Sequence, residues 1–270
     1  RGLLQDSLNA LIARNRTRRT VAPTFTYELL SPHVGYMNFR SMGGDLGQFQ
    51  AAIADMFRRV AADSDSVLVI DLRTNGGGDS RFADELLRYV TTRPYRMSAA
   101  KAWKMSGTYR AHLKAFVRAP WSWLHAWNLF PTGRQLFHGP DGTIVELPET
   151  AVAHPKAEPF FGGAVCVLIG PQTFSSATDL ADAIKTYGLA TTIGDETGGR
   201  ANTFGEAYGF RLPKSQLAVS VSSARYIRAS GDTADHRGVI PDVVVHPSDA
   251  DRRLGRDVVL ARARQCSTRR

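Results

Sequence analysis

Two adjacent serines stand where the chain could pass from a strand into a helix. They are Ser175 and Ser176, within the stretch GPQTFSSATDLADAIKTYG of residues 170–188. Apolar residues then recur at helical spacing, at Ala177, Leu180, Ala181 and Ile184. A serine hydroxyl at such a turn lies near the positive end of the helix dipole, and the next amide can bind an oxyanion. The pattern suits nucleophilic attack on a carbonyl, although serine is also a preferred helix N-cap.

A second turn, IDLRTNGGGDS, carries three consecutive glycines at positions 76–78 directly after an apolar run. Glycine allows positive φ and a close approach of the backbone to a ligand. The amides of this turn could therefore supply one half of an oxyanion hole, and the serine turn the other half. A phosphate-binding loop is excluded because no Gly-Lys-Ser/Thr follows, and the spacing also differs from the dinucleotide pattern G-x-G-x-x-G.

Strands and helices that could position these turns alternate along the chain. The runs SVLVIDL and GAVCVLIG are continuously apolar, which is typical of strands covered on both faces. Apolar residues at helical spacing follow the first predicted strand, the glycine turn and the serine turn. The predicted strands are 33–39, 66–72, 163–170 and 190–195, followed by strand-like FRLP, QLAVSVSSARYI and GVIPDVVV. This alternation predicts a layered α/β fold.

The chain divides into three parts by composition. Residues 1–30 form a basic lead-in, residues 31–250 the core, and residues 251–270 a basic tail. An insertion at about 95–160 interrupts the core and holds the four tryptophans, Trp103, Trp121, Trp123 and Trp127, interleaved with basic residues. We expect this insertion to be a helical subdomain packed on its own aromatics, or a lid over the site.

Bulk composition excludes several functions. The net charge of +9 is concentrated at the chain ends, where it predicts solvated termini, and no nucleic-acid-binding signature accompanies it. No apolar run is long enough for a transmembrane segment. Cys166 is expected to be a buried free thiol and Cys266 to lie in the basic tail, and neither spacing predicts a metal site.

Three segments together resemble the tail-specific, or carboxyl-terminal-processing, serine peptidases. These are LVIDLRTNGGG, LIGPQTFSSATDLADAIKTYGLATTIGDETGGR and GVIPDVVV, in family order within residues 34–246. The resemblance implies a crotonase-like (ClpP/crotonase) layered core and hydrolysis of a peptide or protein substrate through a serine, with no cofactor. We expect no counterpart of the family's PDZ module within residues 1–30, and export to the bacterial cell envelope or periplasm is implied by resemblance alone.

The family pattern Ser-Ala-Ser-Ala-Ser-Glu can be carried over onto residues 174–179. The resemblance then implies Ser176 as the nucleophile, with Ser175 as its neighbour. The Ala177 amide would be one oxyanion donor, and Gly77, or alternatively Gly78, would supply the other.

The resemblance also bears on the general base. Arg200 stands where the better-known branch has its catalytic lysine, and arginine keeps its proton at working pH, which argues against a Ser–Lys dyad. The tricorn-like branch instead uses a histidine with a carboxylate three positions before the GVxPD segment, here Asp235. His33, at the start of the first core strand, is the preferred histidine and His236 the alternative.

Two other functions fit parts of the same pattern. The fold could serve as a non-catalytic module that binds hydrophobic ligands or peptides around its tryptophans. Crotonase relatives also bind an oxyanion with two amides, so an acyl-CoA enzyme is a third reading of the chain.

Overall fold

A computed structural model describes residues 23–116 and 131–266. Trp121, Trp123 and Trp127 of the predicted insertion lie outside these ranges, as does most of the lead-in. The strands are β1 Phe25–Ser31, β2 Val34–Phe39, β3 Val67–Asp71, β4 Ser98–Lys104, β5 Ile144–Pro148, β6 Ala164–Ile169, β7 Thr191–Gly194, β8 Thr203–Arg211, β9 Ala218–Arg228 and β10 Val243–Val244. The helices are α1 Leu46–Ala62, α2 Arg81–Leu87, α3 Gly107–Phe116, α4 Pro131–His138, α5 Ser176–Tyr187, α6 Asp249–Arg253 and α7 Val258–Ala263.

The first sheet is six-stranded in the order β1-β2-β3-β6-β7-β10. Strand β1 pairs antiparallel with β2, and the other pairs are parallel. The parallel strands run in register from Val34, Val67 and Ala164, so their carboxyl ends meet at one edge of the sheet. Both predicted turns leave the sheet at that edge, which confirms the α/β fold with a parallel sheet.

Helices cover both faces of this sheet. The larger apolar core joins one face to α1, α2 and α5, with Phe49, Leu86 and Leu180 among its buried members. A smaller core on the other face includes Val69 of β3 and Val259 of α7. The apolar runs of β3 and β6 are therefore continuous because each strand is buried on two sides.

The second sheet is antiparallel and four-stranded, in the order β5-β4-β9-β8. Strands β4 and β5 come from the segment expected to be a helical insertion, and β4 pairs with β9 from far along the chain. Trp103 lies on β4 rather than in a helix. The expectation of a purely helical insertion is thus corrected, because Trp103 and Lys101 belong to β4, a central strand of this sheet.

The carboxyl-terminal segment packs onto the first sheet. Cys166 of β6 forms a disulfide with Cys266, which lies just after α7. The two cysteines are 100 residues apart in the sequence. The expectation of a free thiol at Cys166 is therefore wrong, because α7 covers the sheet face on which Cys166 lies and brings Cys266 to it. Among the described helices, none has the length and apolar character needed to cross a membrane.

Candidate active site

The glycine turn after β3 is held from within by Asn75, whose side chain is fully buried. Its Nδ2 donates to the Phe39 carbonyl at 2.9 Å, and its Oδ1 accepts from the Gly77 amide at 2.8 Å. Gly77 has a φ of +90°, and a Cβ there would lie 2.7 Å from the Ser175 Cβ and 2.8 Å from the Ser176 amide nitrogen. Glycine is required at this position by both backbone conformation and space.

The serine turn after β6 is fastened to the glycine turn by hydrogen bonds. The Phe174 amide donates to the Asn75 carbonyl at 3.0 Å. Buried Thr173 donates its hydroxyl to the Leu72 carbonyl at 2.8 Å and accepts from the Gly170 amide at 3.1 Å. These bonds fix the two turns against each other, which a pair of converging oxyanion donors requires.

Ser175 has a strained backbone directly before α5. Its φ of 50° and ψ of −132° lie outside the regions that non-glycine residues favour. Such a conformation costs about 1–3 kcal/mol and persists where the surroundings enforce it. The side chain is exposed, makes no capping hydrogen bond and has no hydrogen-bond partner within the described part of the chain. A strained strand-to-helix turn that exposes a serine Oγ is the geometry of a nucleophile elbow.

Ser176 differs from its neighbour in both burial and bonding. It is 9% exposed, and its hydroxyl donates to the Gly78 carbonyl at 2.7 Å. In this arrangement the hydroxyl proton is directed to the Gly78 carbonyl, although a serine hydroxyl can rotate towards another acceptor. The residue expected as nucleophile thus lines the same cavity as Ser175, with its hydroxyl bonded across to the glycine turn, and its role as nucleophile stays a prediction.

The amides expected to form the oxyanion hole are occupied in this structure. The Gly77 amide donates to a side-chain oxygen of its own turn at 2.8 Å, and the Ala177 amide donates to the Phe174 carbonyl at 3.1 Å. The amides of Gly78 and Ser176 lie beside them and have no acceptor among residues 23–116 and 131–266. The amides available to an oxyanion are thus those of Gly78, which was the expected alternative to Gly77, and of Ser176 in place of Ala177.

A cavity of about 580 Å³ opens beside Ser175 and Gly78, between the edge of the first sheet and the second sheet. Residues from β4, β8 and β9 line its far wall. The ionisable groups that line it are Asp79, Asp84, Tyr95, Arg96, Lys101, Glu149, His154, Asp179, Glu206 and Tyr226.

Two carboxyl groups of the cavity have raised pKa values. Burial raises the pKa of Asp179 to about 8, and the charge of Asp182 adds to this effect. Burial also raises the pKa of Asp84, while the Tyr95 hydroxyl that donates to it at 3.0 Å and nearby His154 act in the opposite direction. The His154 ring stacks on Tyr95 with centroids 4.9 Å apart.

His33 lies far from this cavity. It precedes β2, at the amino end of the parallel strands, and its Nδ1 lies 2.9 Å from the Ser64 carbonyl oxygen. The length of β6 separates that end of the sheet from the serine turn, about 16 Å at the usual rise per residue. The expectation that His33 acts as the base is corrected by this position, since a base must reach the hydroxyl proton.

The other predicted base residues also lie outside the cavity lining. Asp235 accepts from the Arg237 amide at 2.9 Å and contacts the Arg228 guanidinium, and these bonds lower the pKa of its carboxyl. His236 is exposed, and Arg200 is exposed on the loop after β7. Asp235 is therefore paired with arginine instead of orienting a histidine.

Sequence reasoning missed the residues that share the cavity with the serine turn. The choice between Ser175 and Ser176 depends on the backbone angles at the start of α5, which residue types alone do not reveal. His154 reaches the cavity beside the bridge between Val152 and Tyr95, and Glu206 reaches it on β8, which pairs with β9. No local motif could have indicated either contact. The apolar periodicity of α5 does place its N-cap at residue 175, as the structure has it.

A strained, exposed serine beside two unoccupied amides on an α/β fold defines a site of the serine hydrolase class. The model of peptidase family S41 matches residues 33–245. The chain belongs to this family of serine-type peptidases.

Solved structures share the fold at low sequence identity. A protein from Parabacteroides merdae described as a peptidase is 19% identical, with a TM-score of 0.56 over 93% of this chain and 67% of that one. The photosystem II D1 C-terminal processing protease is 19% identical, with a TM-score of 0.52 over 90% and 55%. A Bacteroides fragilis protein described as an S41 protease is 15% identical, with a TM-score of 0.53 over 92% and 58%. The chain thus spans about half to two thirds of these proteins, and no curated protein matches its sequence.

Proposed function

We propose that the chain hydrolyses peptide bonds of a peptide or protein substrate, with Ser175 as the nucleophile. The Ser175 Oγ gives up its proton to a base and forms a bond to the scissile carbonyl carbon, and the C–N bond breaks as the leaving amine takes up that proton. Water then attacks the acyl-enzyme and releases the new carboxylate. The observation that carries the proposal is the exposed, strained Ser175 beside two amides without acceptors.

The amides of Gly78 and Ser176 would hold the oxyanion of the tetrahedral intermediate. Both belong to turns that are bonded to each other, so the donors do not need to reorganise during the reaction. The Ser176 amide also lies at the start of α5, where the helix dipole favours negative charge. The hydroxyl of Ser176 supports this geometry through its bond to the Gly78 carbonyl.

We assign the general base to His154. Among the described residues it is the histidine that lines the cavity with Ser175, and an imidazole takes up and releases protons near neutral pH. Its ring is positioned by stacking on Tyr95, whose hydroxyl donates to Asp84. Lys101 of the same cavity is less suited, because its ammonium is already engaged in an ion pair with Glu149 at 3.4 Å.

The finer fold class is part of the same proposal. We place the core, residues 31–250, in the crotonase-like group, in which two amides from neighbouring turns polarise a carbonyl. The parallel sheet with helices on both faces and the two bonded turns support this assignment. The disulfide between Cys166 and Cys266 supports a location in an oxidising compartment, such as the cell envelope.

The sharpest test compares Ser175→Ala with Ser176→Ala. Labelling by a fluorophosphonate, located by peptide mapping, and kcat/KM on a casein-derived peptide library are measured for both variants. Loss of the Ser175 nucleophile is expected to lower kcat by at least ~10⁴-fold and to abolish labelling. Ser176→Ala is expected to retain labelling with a modest loss of rate. An adduct on Ser176, or full activity of Ser175→Ala, would overturn the assignment.

The base is tested by the pH profile of His154→Gln. General base catalysis typically contributes about 10²–10⁴-fold, so kcat/KM is expected to fall by that amount and to lose its rise near neutral pH. His236→Gln, an exposed histidine outside the cavity lining, is the matched control and should keep the wild-type profile. An unchanged pH profile in His154→Gln would assign the base elsewhere while leaving the role of Ser175 intact.

A further inference from the structure

The cavity beside Ser175 has more carboxyl groups than cations. Five acidic side chains line it, and they come from both sides of the opening: Asp79, Asp84, Glu149, Asp179 and Glu206. The cations of the lining are Arg96 and Lys101. Carboxyl groups are costly to bring together in a partly enclosed space unless a cation offsets them.

Both cations of the lining are already engaged. The Lys101 ammonium lies 3.4 Å from a Glu149 carboxylate oxygen, so this pair is close to neutral. The Arg96 guanidinium donates to the Ala229 carbonyl at 2.9 Å and to the Glu149 carbonyl at 2.7 Å. Neither cation is within ion-pair distance of Asp179 or Glu206.

Asp179 lies one helical turn after Ser175, whose carbonyl accepts the Asp179 amide at 3.0 Å. Its side chain is mostly buried and lines the cavity, yet no group in residues 23–116 or 131–266 donates a hydrogen bond to its carboxyl. Asp182, the next acidic residue of α5, is instead fully paired with Arg228 at 2.5 Å. Asp179 is thus a polar group directed into the cavity without a partner.

Glu206 faces the same space from β8. Its φ of 53° is unusual for a non-glycine residue within a strand. Its carboxylate accepts from the Tyr226 hydroxyl at 2.7 Å and from the Trp103 indole N–H at 3.0 Å, and it has no ion pair in the described part of the chain. Backbone strain that presents a carboxylate to a cavity is a feature of ligand sites.

The spacing of these carboxylates does not suit a metal ion. Within the described residues, no group of three or more acidic, histidine or cysteine side chains comes close enough to coordinate one. A long side chain that ends in a cation can instead reach carboxylates on opposite walls. Guanidinium and ammonium groups offer five and three donors for such contacts.

We propose that this cavity binds the side chain of a lysine or arginine that flanks the scissile bond, with Asp179 and Glu206 as its partners. The inference rests on the proposed function, since the basic residue is defined by its position beside the bond that Ser175 would attack. Charge-assisted hydrogen bonds to two carboxylates then select basic residues over neutral isosteres of similar length.

This assignment carries a pH dependence. Because the pKa of Asp179 is raised to about 8, the residue is protonated at neutral pH in the free protein, and a bound cation favours its ionised form. The groups that face Asp179 are Asp182 on its own helix, Lys101 and Glu149 across the cavity, and Tyr226 of β9. We expect KM for basic peptides to fall between pH 6 and pH 9, while KM for neutral peptides stays level.

The test uses peptides that differ at one position beside the scissile bond: arginine, lysine, citrulline, norleucine or glutamate. Hydrogen bonds to a charged group predict a preference of ~10- to 100-fold in kcat/KM for arginine over citrulline. Asp179→Asn and Glu206→Gln should each reduce that preference, mainly through KM. Glu146→Gln, on an exposed residue of β5 outside the cavity lining, is the matched control and should keep it.

A binding measurement separates this inference from the proposed function. The Ser175→Ala protein is titrated by calorimetry with the acetylated arginine and citrulline peptide amides. Tighter binding of the arginine peptide that is lost in Asp179→Asn supports the inference whether or not turnover is observed. Equal binding of the two peptides overturns it, and labelling of Ser175 in the wild type then still decides the proposed function.

Discussion

The two sheets of this protein contribute to the site in different ways. The parallel sheet supplies backbone: two turns, bonded to each other, that hold Ser175 and the amides of Gly78 and Ser176. The antiparallel sheet supplies side chains, including Lys101 and Glu206, that line the facing wall of the cavity. We interpret this as a division between chemistry and recognition, because oxyanion stabilisation needs fixed dipoles whereas substrate choice needs exchangeable side chains.

The largest expected effect comes from a substitution in the backbone turns that the parallel sheet supplies. In Gly77→Ala, the new Cβ would lie 2.7–2.8 Å from atoms of the serine turn, at a φ that favours glycine. The two turns must then separate, and kcat/KM is expected to fall by at least ~10²-fold for every substrate, as when an oxyanion donor is lost.

Gly76→Ala is the matched control for this change. A Cβ at Gly76 has no atom within 4 Å, and its φ is not in the left-handed region. This variant should keep wild-type kcat/KM and fluorophosphonate labelling. If both alanine variants were equally active, the close fit of the two turns would not be a requirement for the reaction.

A second change removes an ion pair that joins the antiparallel sheet to the helix after the serine turn. Arg228 of β9 pairs with Asp182 of the serine-bearing helix at 2.5 Å, and Asp182 is 1% exposed. Arg228→Met leaves a buried carboxylate with its Ala229 amide bond alone, and we expect the free energy of unfolding to fall by about 3–5 kcal/mol.

Chemical denaturation of Arg228→Met measures this loss. Arg225→Met serves as its control, since Arg225 lies on the same strand and forms no ion pair among the described residues. Asp182→Asn introduced together with Arg228→Met should recover part of the stability, because the unpaired charge is removed. A loss of the same size in Arg225→Met would point to strand packing as the cause.

The sequence predicted the parallel sheet far better than the antiparallel one, for a physical reason. Buried parallel strands such as β3 are continuous apolar runs, and the turns after them carry glycine and serine that local chemistry explains. The pairing of β4 with β9 joins Lys101 to Tyr226, more than a hundred positions apart, and no local pattern encodes such a contact.

The same limit applied to the site residues. Both turns, with Gly78 as an alternative donor, could be predicted because they follow predicted strands. The φ of 50° at Ser175, on which the proposed choice between Ser175 and Ser176 depends, could not be predicted, since the packing of the two turns imposes it. His33 was placed at the wrong end of the sheet because its strand was predicted without regard to the direction in which it runs.

The last expected effect depends on pH and concerns Asp179, which lies on α5 but faces the second sheet. Its pKa is raised from about 4 in the unfolded chain to about 8 in the folded protein, so the folded state retains a proton that the unfolded state has lost. Stability therefore falls as pH rises between these two values. Asp179→Asn removes the titration, and its Tm should exceed that of the wild type by a margin that grows from pH 4 to pH 8.

Scanning calorimetry at pH 4, 6, 8 and 9 measures that margin, at about 2–4 °C for each kcal/mol in a chain of this size. Asp55→Asn, on the exposed face of α1, should show no growing margin. A margin for Asp179→Asn that is constant with pH would mean that the carboxyl is ionised throughout this range. The carboxyl of Asp179 would then be charged at neutral pH, and the preference for basic peptides should no longer increase between pH 6 and pH 9.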